Sequence, residues 1–275
     1  MSLNLKVGNI SIGLEVPDCL SENLYQLFSP FIISGIKTTN LLKVEISRKP
    51  VWDKEYNIRS DYFYREEDPK NFLIGNDQAM LDVQLDKNRA DALISESCMN
   101  MAVIFACIKW YLSFLIIENG GVPFHSSSVF RNGASLLFMG KSGAGKSTIC
   151  QLLSEKWNKG NDEYNAVLFD GNVLKSCSTP FVPLCGCREL TEGNVLECIY
   201  ILKWADHNRI EEINGDTGKF FNLLGNIYTK PANAYLGEKM LDNIKKISFS
   251  VPVKILHFIN NQSICSFFEQ VYGNL

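Results

Sequence analysis

The sequence predicts an α/β protein preceded by a smaller β-rich unit. Three observations lead there. Apolar residues alternate with a period of two through much of residues 1–94. A long apolar run follows within residues 95–121. From residue 122 onward, strand-like and helix-like stretches alternate to the end, as in an α/β unit. The expected organisation is a β-rich accessory domain over 1–94, a linking buried helix over 95–121 and the α/β domain over 122–275.

The elements follow in order. Leu3, Leu5 and Val7 alternate, Gly8-Asn9 offers a turn, and Ile10, Ile12, Leu14 and Val16 alternate again, a hairpin pattern. Asp18 to Ser34 is ambiguous and admits a short helix after Pro17-Asp18. Leu42, Val44 and Ile46 read as a strand, as do Leu81, Val83 and Leu85. Between them, Asp53 to Asn71 is polar, Tyr-rich and charged, as expected of an exposed hairpin and loop.

Ser95 and Glu96 open a helix that runs to about Glu118 and ends at Gly120-Gly121. Residues 99–117 approach membrane-spanning length. Asn100, Lys109 and Ser113 interrupt them, and a lysine in mid-helix is costly in lipid. A buried helix is therefore expected, with no membrane partner. Val122 to Phe130 is a strand, Arg131-Asn132-Gly133 a turn and Ala134 to Met139 a second, apolar strand. Gly140 to Gly145 is a loop, Lys146 to Trp157 a helix and Ala166 to Phe169 a short strand ending in Asp170. The apolar run Val195 to Trp204 comes next. Helices near Thr217 to Asn226 and Leu236 to Ile247, a strand Val251 to Phe258 and a helix Ser263 to Tyr272 complete the chain.

Composition narrows the function classes. The 275 residues are 46% hydrophobic and 21% charged, enough apolar content for a core without staples. The net charge of -3 leaves no basic surplus for a phosphate backbone, so nucleic acid is not an expected partner. Nine cysteines are an odd number, and no basic stretch followed by an apolar block opens the chain. Reduced thiols and a cytoplasmic location are the expectation.

The strongest motif is Gly140-Lys141-Ser142-Gly143-Ala144-Gly145-Lys146-Ser147, which fits G-x-x-x-x-G-K-[ST]. Glycines let a backbone curl its N–H groups onto phosphate oxygens. The following helix adds the positive end of its dipole. Lys146 is expected to bind the β- and γ-phosphates of ATP, and Ser147 to place its hydroxyl on Mg2+. Thr148 completes the nucleotide-binding stretch 140–148.

Two further residues are candidates. Asp170, at the end of an apolar strand, follows the loop after one helix and one connection, which suits a compact kinase. No LSGGQ-like or N-K-x-D motif points to a transport ATPase or a GTPase. His125, on the strand beside the loop's own strand, suits phosphate binding or proton transfer. A lone histidine in an apolar strand is more often a packed core residue, and His207 and His257 read as structural or surface groups. Cys177, Cys185, Cys187 and Cys198 lack the C-x2-C spacing of zinc sites and read as thiols. Arg188 and Arg209 suit stabilisation of a transferring phosphoryl group, although solvated surface charge is the commoner role.

Taken together, these residues resemble the HPr kinase/phosphorylase-type P-loop fold, related in architecture to ATP-dependent phosphoenolpyruvate carboxykinases. The resemblance covers the stretches 124–129, 136–148, 167–174, 179–186, 199–213 and 248–258. It implies an HPr-kinase-like P-loop domain that uses ATP and Mg2+, with Lys146, His125 and Asp170 catalytic and Ser147 and Asp170 on the metal. Asp170 would match the first Asp of the family's pair and accept the acceptor's proton. Gly171 then stands in place of the second Asp, and Thr148 where bacterial HPr kinases have Glu. The family's Lys-rich C-terminal loop has no counterpart, so HPr is not the expected substrate. The chain looks more like divergent HPr-kinase-related proteins encoded with ribosomal-peptide maturation systems. HPr kinases form ring oligomers, which leaves a homo-oligomer open. The expected activity is transfer of the γ-phosphoryl group to a hydroxyl of a peptide, a protein or a small molecule. The alternative is a nucleotide-binding, catalytically degenerate peptide-binding or regulatory module.

Overall fold

In the computed structural model the described residues are 2–35, 38–47, 63–76, 78–181 and 192–273. They form two seven-stranded sheets and six α-helices. The first sheet uses β1 (Ser2–Val7) and β2 (Ile10–Glu15), then, after helix α1 (Asp18–Phe28), β3 (Asn40–Ser47). It continues with β4 (Phe63–Asp68), β5 (Asn71–Gly75), β6 (Ala79–Gln84) and β7 (Arg89–Ser95). Strand order is β1-β2-β3-β7-β6-β5-β4, with β3 parallel to β2 and β7. Buried and less buried residues alternate along β1, β3 and β6, as a sheet with one covered face requires. Leu20, Leu24 and Phe28 of α1, spaced four apart, bury one stripe. The ambiguous stretch after Pro17 is thus a helix; of the polar stretch, residues 63–71 supply β4, the turn and the first residue of β5, while 53–62 lie outside the described residues.

Helix α2 (Met101–Glu118) starts later than the sequence suggests. Ser95 still belongs to β7, and Asn100 is the cap, its side chain accepting from the Val103 N–H at 3.1 Å. Eleven of the helix's residues are buried. It is the one described helix long and apolar enough to cross a membrane, and 61% of it is buried against protein. It packs on strands of both sheets, and a single apolar core runs across them.

The second sheet starts with β8 (Val122–Arg131) and β9 (Ala134–Met139), followed by α3 (Lys146–Leu153). Then come β10 (Asn158–Asp170), β11 (Val173–Ser178), β12 (Asn194–Trp204) and β13 (Arg209–Glu212). Helices α4 (Gly215–Leu224) and α5 (Ala234–Ser250), strand β14 (Val253–Phe258) and helix α6 (Ser263–Tyr272) complete it. Strand order is β11-β10-β8-β9-β12-β14-β13. Strands β9, β12 and β14 are parallel, while β8 and β10 run antiparallel to their neighbours. All six residues of β9 are buried, which explains its unbroken apolar run. Phe138, Ile149, Leu153, Tyr200, Phe258 and Phe268 form a second core that clamps α3 and α6 to the sheet.

The largest departure from the sequence reading is β10. It spans thirteen residues, not the four apolar ones from Ala166 to Phe169. Its first half is polar, and its register shifts between Lys159 and Asp162, which hides the period of two. Helix α3 also stops at Leu153, four residues before Trp157.

Candidate active site

The loop 140–145 leaves the sheet at the carboxyl end of β9, beside the same ends of β12 and β14. Ligands of open α/β sheets bind at such an edge. Gly145 caps α3 with φ +93°, a conformation that disfavours side chains. A Cβ there would also lie 2.7 Å from both the Trp204 and Phe258 rings. These rings stack at 4.5 Å beneath the loop, and the Trp204 indole N–H donates to the Gly143 carbonyl at 3.0 Å. The start of the loop is tied from another side. The Gly140 N–H donates to Asn226 Oδ1 at 3.0 Å, and the Asn226 carbonyl accepts from the His125 N–H at 2.8 Å.

The loop faces a cavity of about 380 Å3. Ser142, Gly143, Ala144, Gly145, Lys146, Ser147 and Thr148 form one wall, while Gly140 and Lys141 stay outside it. His125, Ser127, Glu163 and Trp204 close the other sides. Sheet register brings these together: Ser126 pairs with Met139 across β8–β9, and Glu163 with Ser126 across β10–β8. Lys146 Nζ donates to the Gly140 carbonyl at 2.9 Å. Burial lowers the Lys146 pKa, opposed by the negative charges of Glu163 and Asp162. Burial and then the Lys146 charge lower that of His125, opposed by Glu163. Both effects favour the uncharged imidazole beside the lysine.

Asp162 and Glu163 were not expected from the sequence. Glu163 is exposed to the cavity and has φ +129°, a strained backbone for a residue with a side chain. Buried amides hold the distortion. Asn161 Nδ2 donates to the carbonyls of Tyr164 (2.8 Å) and Thr179 (3.0 Å). Asn165 Nδ2 donates to the Ser126 carbonyl at 2.7 Å, and its Oδ1 accepts from Ser128 Oγ at 2.9 Å. Asp162 pairs with Lys159 at 2.6 Å, while its Oδ1 is buried without a hydrogen-bond partner. The one available signal was the polar run from Asn158 to Asn165, long enough for half a strand.

Asp170 is not brought to the loop. It lies at the other end of β10, seven residues beyond Glu163, about 23 Å of extended chain. There it borders the β10–β11 turn and pairs with Lys175 at 2.7 Å, which lowers its carboxyl pKa. Gly171, at φ +59°, belongs to that turn. The carboxylates whose charges act on Lys146 are Glu163 and Asp162, and Gly171 does not line the cavity. Arg209 is also away from the cavity, pairing with Glu211 at 3.0 Å. His257 is bound to the same Glu211 at 2.8 Å, and His207 to Asp206 at 2.6 Å, both outside the cavity. Cys177 and Cys198 are buried free thiols; Cys185, Cys187 and Arg188 lie outside the described residues.

The donors suit Mg2+. Among the described residues no three His, Cys, Asp or Glu side chains cluster as a metal cage. Mg2+ needs none, because it is bound by one or two carboxylates, phosphate oxygens and water. Glu163 and Ser147 line the cavity with hard oxygen donors of this kind, and the adjacent Asp162 carries a buried, unpartnered Oδ1.

The chain matches no family model and no curated protein. Among solved structures it is similar to the Hpr(Ser) kinase/phosphatase from Coxiella burnetii. That alignment has a TM-score of 0.30 and 11% identity, and it covers 55% of this chain and 94% of the other.

Proposed function

We propose that this chain is an ATP- and Mg2+-dependent kinase that transfers the γ-phosphoryl group to a hydroxyl. The observation behind it is the convergence of Lys146, His125 and Glu163 on one cavity at a strand–loop–helix turn with a G-x-x-x-x-G-K-S sequence. Lys146 Nζ exchanges the Gly140 carbonyl for the β- and γ-phosphate oxygens. The loop's N–H groups and the start of α3 hold the same phosphates. Ser147, with Asp162 beside it, would hold Mg2+, and the bound ion would supply positive charge at the phosphate oxygens.

The Glu163 carboxylate accepts the proton of the acceptor hydroxyl. The acceptor oxygen bonds to the γ-phosphorus as the bond to the β,γ-bridging oxygen breaks, and ADP leaves. Neutral His125 donates or accepts a hydrogen bond at the transferred group. The Asp162–Glu163 pair at the loop favours turnover over a non-catalytic module.

Calorimetric titration of Mg-ATP into wild type and Lys146→Ala tests the site. Binding to wild type, weakened at least about tenfold in the variant, supports it; each tenfold is about 1.4 kcal/mol. No binding to folded wild type would refute it. Glu163→Gln should keep Mg-ATP binding and lose ADP formation.

A further inference from the structure

Lys109 stands half-buried in the middle of α2. It donates to the Tyr228 hydroxyl at 3.2 Å and faces the rings of Phe181 and Tyr228 at 5.2 and 5.5 Å. Among the described residues no carboxylate pairs with it. A partly desolvated cation held by a phenol and two ring faces retains its attraction for an anion.

Lys109 opens onto a cavity of about 780 Å3, twice the volume of the one at the loop. That is within the range of small-molecule sites, roughly 300–1,000 Å3. Phe105 and Trp110, both from α2, and Tyr64, from β4, give it apolar walls. Lys230 adds a second cation from the segment 228–232.

This segment is fixed in place. Thr229 Oγ1 and the Tyr164 hydroxyl both bond to the buried Ser113 Oγ, at 3.0 and 2.7 Å. The Tyr228 N–H donates to the Pro123 carbonyl at 2.8 Å. The Tyr228 ring meets the His125 ring edge-on, with centroids 6.4 Å apart. One side chain therefore touches both the cation of the large cavity and the histidine of the phosphate-loop cavity.

We infer that the large cavity receives the phosphoryl acceptor, and that the acceptor is a small amphipathic hydroxy acid. Its acid group sits on Lys109 and Lys230, its apolar body lies against Phe105 and Trp110, and its hydroxyl is presented past Tyr228. As an acceptor site the cavity depends on the phosphotransfer proposed above. As an anion-selective apolar cavity it does not.

The probes are 8-anilinonaphthalene-1-sulfonate and its uncharged counterpart, N-phenyl-1-naphthylamine, followed by fluorescence. Wild type should bind the anionic dye at one saturable site. Lys109→Met should weaken it at least about tenfold, the loss of one charge-assisted contact, and leave the neutral dye unchanged. Ala102→Trp, which fills the cavity from its exposed rim, should abolish both. Lys146→Ala should lose Mg-ATP and keep the dye, so the two sites fail separately. Equal binding of both dyes to wild type, an unchanged Lys109→Met or a binding-competent Ala102→Trp would overturn the cavity's chemistry. A panel of aromatic and aliphatic hydroxy acids that displace the dye then tests the acceptor role with Mg-ATP. Phosphorylated acid formed by wild type and not by Lys146→Ala supports it. Displacement without phosphorylated product, in a protein that binds Mg-ATP, overturns it.

Discussion

Replacing Glu163 with glycine should stabilise the protein while abolishing phosphotransfer. At φ +129° the residue sits in a region that glycine occupies freely, and such strain costs about 1–3 kcal/mol. Glycine gives back roughly 0.5–1 kcal/mol through the greater freedom of its unfolded chain. The side chain is exposed, so its removal uncovers no core. The net gain is therefore about 1 kcal/mol, or ~2–4 °C in Tm for a chain of this size. Glu163→Ala is the control, because it removes the carboxylate and keeps the Cβ. In an ordinary strand alanine is the more stable of the two by roughly 0.5–1 kcal/mol. Here the order should reverse, with Glu163→Gly unfolding at higher temperature than Glu163→Ala by calorimetry or circular dichroism. Both variants should lose ADP formation. A glycine variant less stable than the alanine variant would mean that the backbone at 163 is relaxed and stores no strain.

Other perturbations discriminate as sharply. Asp170→Asn should leave Mg-ATP binding and ADP formation at wild-type levels, since its carboxylate pairs with Lys175 far from the loop; a loss like that of Glu163→Gln would return Asp170 to the site. His125 is held below its ordinary pKa of 6.5, so the unfolded chain takes up more protons just below that pH. Its contribution to stability is complete above about pH 6.5 and is lost as pH falls through the depressed value. Urea titrations from pH 7 to 5 should show that decline in wild type and a shallower one in His125→Gln. Ser113→Ala leaves the buried Tyr164 hydroxyl without its partner, and should cost about 1–3 kcal/mol by urea denaturation.

Much of this was legible because it is local. The strand, loop and first turn of α3 are contiguous, and the loop's glycines and lysine declare their chemistry within eight residues. The buried helix 101–118 was legible from its apolar run, although its true cap is Asn100 and not Ser95. The acidic pair was not legible. Asn158 to Asn165 carries its polar side chains on a distorted strand, where the register shift removes the alternation that marks strands. Ala166 to Phe169 was visible, so the nearest acid at its end drew attention to Asp170. Trp204 and Asn226 touch the loop from 61 and 86 residues away, at the end of β12 and after α4, contacts that only the sheet order creates.

The anchor at Asn226 has a consequence for biosynthesis. One residue supports both the loop, through Gly140, and the strand that bears His125. Residues 122–153 leave the ribosome with the whole G-x-x-x-x-G-K-S motif, yet the clamp on Gly140 is made by a residue translated 86 positions later. A nascent chain arrested before residue 226 therefore carries the motif without its support. The Trp204–Phe258 stack beneath the loop is completed later still, with β14, so the loop's support is finished only once that strand of the second sheet has been made.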